Sequence, residues 1–519
     1  MKRIYLIIIL LVLFSFSSCK KFLDINHDPD AIENVPIKMI LPSALSSPMY
    51  ILGGDGQIIG GYWAQQWTQS TNAPQYQGFD SWQITNSTFD GRGYGALYYY
   101  SLTDLKKIKD EARKTENWSY YLMATVIESY VYQTLVDLYD NVPYTDAIQG
   151  EEGNITPEFD MGEDIYTNIV DSLKYALTAD VTTITSEDPE ESDIIFNGDM
   201  NKWKEFANTL LLKIYLRESF KKDMSSEITS LNGPFLSEDA DFNIFVNQPD
   251  KRNPIYATAE IEQKGNISMS RTLMGYLIDD MYGSPNIRDS RVDYLAYRPN
   301  KVPEAHRALL QGDFYANSNV YYLGGSSTVN YWGAENIEYL SRPLILYDTP
   351  LYYMTLAESY FLQAEADIRF KGGAEAQDLY ENGVKAAFRR LGLTDTDAQV
   401  ILDNANYAAW SSATTDDERL NLIWMQKWVS MTNIQGIESF IEHNRTDTPK
   451  EFNVNPNSDP INWDDDYERG WFTVSVNNVT NGRFPRRLLV PQSEIDGNSN
   501  VPDDMRNKKI YDPVWWDVN

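Results

Sequence analysis

The residue types that do chemistry are few here and widely spaced. Histidine occurs only as His27, His306 and His443, and cysteine only as Cys19. Three distant imidazoles offer little for a histidine-built metal site or a histidine general base. A lone thiol allows no disulfide within the chain and no cysteine-ligated zinc. His27 stands beside Asp28 and Asp30, but a solvated linker histidine is the commoner meaning of that pattern. No G-x-S-x-G elbow, Walker A loop or H-E-x-x-H helix is present. Carboxylates abound, so a glycosidase pair about 5–9 Å apart has candidates. Abundance is not placement, however, and acidic helical surfaces account for them. No cofactor is expected. The loop 180–198 carries Glu187, Asp188, Glu190, Glu191 and Asp193, where a structural calcium is possible, yet the spacing matches no calcium-binding loop.

Recognition chemistry is better represented. Trp, Tyr and Phe make up 13% of the chain; many must fill the core, and Tyr and Trp are also the usual residues of sugar and peptide recognition surfaces. Segment 70–88 (STNAPQYQGFDSWQITNST) sets Tyr76, Phe79 and Trp82 among amides and turn formers. Flat rings suit the C–H faces of a sugar, and amides suit its hydroxyls. The alternative is a loop pinned to the core by its own aromatics. A second loop, 324–332 (GGSSTVNYW), ends in Tyr331 and Trp332. On the recognition reading, alanine at Trp82 or Trp332 weakens binding and leaves the fold intact.

These loops need a scaffold. The reading is mainly α: about four tetratricopeptide-like helix pairs near 89–140, 162–219, 350–391 and 415–444. A loop-rich insertion spans 222–343, with few short strands, at Phe242–Val246 and Val320–Leu323. Asp199–Ser219 is the clearest helix. Trp203, Phe206, Leu210 and Ile214 form one face, and Asp199 or Asn201 caps its start. Asn208 and Arg217 lie beside that seam and need partners if buried. Asp348 is the expected cap of the next helix, with Pro350 in its first turn. Glu365 and Asp367 are expected to pair with Arg369, Arg389 or Arg445 between repeat helices, or else to remain surface acids.

Net charge is −31, from 44 basic against 75 acidic residues. That excludes a nucleic-acid surface and a polybasic membrane patch. At the N-terminus, Lys2 and Arg3 precede an apolar run, Ile4–Phe16, too short to span a bilayer at about 20 residues. Ser17 and Ser18 then lead to Cys19. Residues 1–18 therefore read as a lipoprotein signal peptide with Cys19 as the acylated residue, although Phe16 stands where leucine is usual. Residues 19–38 read as a lipid-anchored arm and 39–519 as a single domain.

Several stretches, in order, resemble one family: Cys19-KKFLDIN followed by DPD, LVDLYDNVPYTDA at 135–147, FNGDMNKWKEFANTLLLKIYLR at 196–217, AESYFLQAEADIR at 357–369, QKWVSMTN at 426–433, HNRTDTP at 443–449 and FPRRLLVP at 484–491. The chain resembles SusD/RagB-type nutrient-binding outer-membrane lipoproteins, with departures at Asp140, Asn141 and Asn444. The resemblance implies a non-catalytic lid over a SusC-like TonB-dependent barrel, capturing glycan or peptide at the cell exterior. It implies that loop aromatics outside the repeats hold the ligand, here Tyr76, Trp82, Tyr331 and Trp332. It also implies that the repeats and the arm face the barrel. Surface glycoside hydrolase and pure interaction scaffold are the competing readings.

Overall fold

A computed structural model describes residues 35–71, 73–181, 188–278, 287–301, 303, 305–315, 320–323, 337–452 and 470–518. The proposed signal, Cys19, His27 and most of the arm lie outside these residues, as do Tyr331 and Trp332.

Helices dominate because apolar seams recur at helical spacing and each seam finds a neighbour. α1 (Ile37–Ile51) and α2 (Gln57–Trp63) open the body, with a non-helical break at Gly54 between them. α3 (Thr103–Lys114) packs on α4 (Trp118–Tyr139), which also receives α5 (Gly162–Thr178) and α6 (Met200–Glu218). Amphipathic α3 buries Leu105, Ile108 and Ala112 and turns its lysines outward. α4 is covered on several sides, so its tyrosines, valines and leucines are buried almost all round. Asp199 caps α6 by accepting from the Asn201 and Lys202 N–H groups.

The second half repeats the design. α7 (Leu356–Ala366) pairs with α8 (Ala376–Arg390), and α9 (Asp416–Ser430) leads into α10 (Gly436–Thr446). The architecture is mainly α. Small residues set the closest approaches. A Cβ on Gly60 of α2 would stand 2.2 Å from the Gly436 carbonyl carbon at the start of α10. Gly383 of α8 likewise gives room to Phe361 of α7.

One local expectation is corrected. The helix expected from Asp348 begins only after Thr355, whose side chain accepts from the Glu358 N–H. Leu351–Met354 is instead a fully buried strand, paired antiparallel with Ala240–Phe242. Its β-formers are covered on both faces, which favours extended pairing over a helix turn. The other strands are short and two-stranded. Among them Trp67–Gln69 pairs with Ile267–Met269, and His306–Leu309 with Val320–Leu323.

Candidate functional site

Buried charged residues of α4, α6, α7, α9 and α10 form one ionic knot. Arg217 of α6 reaches Glu442 at 2.5 Å, Glu438 at 2.6 Å and Asp137 at 3.3 Å. Lys213, one turn earlier, meets Glu438 at 2.7 Å and Glu358 at 3.1 Å. Arg445 of α10 grips Glu365 through two bonds, 2.7 and 2.6 Å, and Glu442 through two more. Arg369 adds a bond to Glu365 at 2.7 Å, and Lys427 one to Glu442 at 2.8 Å. Five cations thus face five carboxylates, so the interior carries no net charge there. Burial alone would raise the Glu365 carboxyl, but the adjoining Arg445 guanidinium outweighs it and holds the group at about 2. At Asp137 burial prevails over Arg217 and lifts the carboxyl to about 6.

Other expected partners differ. Asp367 accepts from the Glu375 N–H, and Arg389 pairs with Asp395 at 2.7 Å instead of an α7 acid. Trp203 donates to Asp193, and Asn208 donates to the Pro234 carbonyl. Apart from the exposed Arg389–Asp395 pair, these side chains brace the scaffold.

The loop 70–88 is built differently from the recognition reading. Tyr76 is 7% exposed and Trp82 2% exposed. The Tyr76 ring stacks on Phe79 at 5.7 Å, and its hydroxyl is pushed up to about 12 by burial. Trp82 packs against Phe484 at 5.0 Å and sits at φ +62°, a conformation bulky residues rarely hold without enforcement. Neither ring offers a face to a ligand, which corrects that expectation. The enforcement comes from Asp80, whose carboxylate accepts from the Thr68 hydroxyl, the Gln69 and Gly312 N–H groups and the Gln311 side chain. Val479 N–H meets the Ser81 carbonyl at 3.1 Å, and Ser475 Oγ meets the Asp80 carbonyl at 2.5 Å.

Beside this root, polar and aromatic side chains reach the surface. Gln75 and Gln83 are exposed, and Phe79 is half-buried. Directly after the Gly312 turn comes Tyr315, 60% exposed and 5.0 Å from Phe314. Asn477 donates to the Gly312 carbonyl at 2.7 Å. Tyr315 was not singled out from sequence. The available signal was the G-D-F-Y run, a turn followed by two aromatics.

Two further features bear on chemistry. Ser341 Oγ lies 3.0 Å from His306 Nδ1, and His306 Nε2 lies 3.0 Å from Asp293. This has the order of a serine-hydrolase relay. Ser341 is fully buried, however, and its Oγ already accepts from the Arg307 N–H. Asp293 is neutralised by Arg288 and Arg298, so the relay braces strands. A cleft of about 1380 Å³ opens between α3, segment 143–157 and Val35–Ile37, lined by Tyr98, Tyr99, Lys106, Asn117 and Gln149 among others. Among the described residues no cluster of histidine and carboxylate groups suits a metal ion, and no helix is long and apolar enough to cross a membrane.

No curated protein sequence matches the chain. Solved structures do match in fold. A SusD homologue from Bacteroides fragilis is 21% identical, covering 93% of this chain and 99% of its own, with a TM-score of 0.68. One from Bacteroides uniformis is 20% identical over 94% and 100%, with a TM-score of 0.71. A chitin-binding SusD homologue from Flavobacterium johnsoniae is 21% identical over 93% and 99%, with a TM-score of 0.68. The sequence profile of the SusD-like family, described as starch-binding and associating with the outer membrane, matches residues 30–464. With paired helices and a profile spanning most of its length, the chain belongs to the SusD-like family.

Proposed function

We propose that this protein captures a nutrient at the cell surface, an oligosaccharide by preference, and passes it to a TonB-dependent outer-membrane barrel without chemically altering it. The observation that carries the reading is the loop face rooted at Asp80. It roots on one buried carboxylate both the turn that precedes the exposed ring Tyr315 and the segment that carries the exposed amides Gln75 and Gln83. Rings for C–H faces and amides for hydroxyls are the pairing a neutral sugar chain needs. Family membership supports carbohydrate as the ligand class, since the family is described as starch-binding. The chitin-binding relative supports the same class. The sealed Ser341 hydroxyl supports a non-catalytic role. Cys19 as lipid anchor, and a barrel partner facing the repeats, complete the proposal.

An array of glycans and peptides probed with the chain from residue 20 onward tests it. The expected result is retention of neutral oligosaccharides without cleavage. Binding confined to peptides, or release of shortened sugars, contradicts it.

A further inference from the structure

Asp80 joins three stretches that are remote in sequence. Oδ2 accepts from Thr68 Oγ at 2.8 Å, from Gln69 N at 2.8 Å and from Gly312 N at 3.1 Å, and Oδ1 accepts from Gln311 Nε2. The third stretch is tied to the same turn, since Val476 N donates to the Gln311 carbonyl at 2.9 Å. Gly312 sits at φ +74°, and a Cβ there would stand 2.0 Å from Ser475 Oγ, so the turn tolerates only glycine. Asp80 is fully buried, and among the described residues its partners are neutral donors without a cation. The titratable side chain facing it is Tyr62 of α2.

We propose that Asp80 is the positioning residue of the ligand face: it couples the turn beneath Tyr76–Gln83 to the turn beneath Tyr315, so that both take up one arrangement. This rests on the reading of that face as the nutrient site. The carboxyl has two satisfied states. Ionised, it takes all four donors. Protonated, it can donate to Thr68 Oγ, because that hydroxyl also lies 3.1 Å from the Leu310 carbonyl and can turn its own hydrogen there. Burial without a cation favours the neutral form and lifts the group to about 7. When the face opens and water reaches Asp80, its proton affinity falls to the ordinary value of about 3.9. The closed arrangement therefore holds the proton more tightly. Its extra stabilisation is complete below about pH 4 and is lost as pH rises to about 7.

Hydrogen exchange read by mass spectrometry, corrected for the intrinsic pH dependence, tests the coupling. As pH rises from 5 to 8, peptides covering 67–83, 306–315 and 472–480 should lose protection together, by about tenfold or more. A peptide from α4 should not change. In Asp80→Asn the three stretches should show no pH step. Three stretches that respond separately, or a wild-type series without a step, would overturn the proposal, and the wild-type series decides alone if the variant does not fold. Maltohexaose and N-acetylchitohexaose, added in turn, separate the two layers. Protection of these peptides by either sugar supports the ligand face. No protection by either refutes that face, and the positioning role falls with it even where the pH steps coincide.

Discussion

Glu365 is a carboxylate taken almost completely out of water, and three side chains keep it charged. Arg445, Arg369 and the Trp424 indole all donate to it. Removing it leaves two guanidiniums facing each other in the interior. Glu365→Ala should therefore lose about 3–5 kcal/mol of stability, read from urea unfolding. A loss under about 1 kcal/mol would mean that water already reaches the site. Trp82 poses the opposite case. Its sequence context, an aromatic among glutamines and asparagines, fits a sugar platform and a core plug equally. Composition reports which groups are present, and only packing against Phe484 decides which way the ring faces. Trp82→Ala should lower stability by about 3–5 kcal/mol, as for other buried large side chains. Retained stability with weakened ligand binding would restore the recognition reading.

Helices were legible where a 3.6-residue apolar period stands out, as in α3, α5 and α8, whereas α4, buried almost all round, was legible by its length and by small residues at helix-contact spacing. The acid–arginine pairing of Glu365 with Arg445 followed from the seam, since an acid beside a buried stripe needs a partner. What sequence did not give is contact between remote elements. Leu351–Met354 read as the first turn of a helix because its partner strand, Ala240–Phe242, lies far away along the chain. Gly60 was silent for the same reason: nothing nearby reveals that α10 crosses α2 there. Gly60→Ala keeps the helical backbone but drives a methyl into the Gly436 peptide. A helix glycine changed to alanine ordinarily gains about 0.5–1 kcal/mol. Here the sign should reverse, with a clear fall in Tm by calorimetry, while the exposed Gly95→Ala should leave Tm nearly unchanged.

At the scale of the whole molecule, a rigid stack of helix pairs with a neutralised ionic interior holds a surface of loops. The knot ties α4, α6, α7, α9 and α10 into one unit, and the Asp80 root sets the loop face upon that unit. Such a division lets surface loops vary while a scaffold persists, and the fold is shared with SusD homologues at about one residue in five. The proposed capture of sugar runs through Tyr315 on the loop face. Isothermal titration calorimetry of wild type and Tyr315→Ala against maltohexaose and N-acetylchitohexaose tests it most directly. Wild type should bind at least one hexaose, and the variant should bind it about tenfold or more weakly, the equivalent of about 1.4 kcal/mol for a lost stacking ring, with Tm unchanged. Equal affinity of the two proteins, or no heat with either sugar, would contradict it.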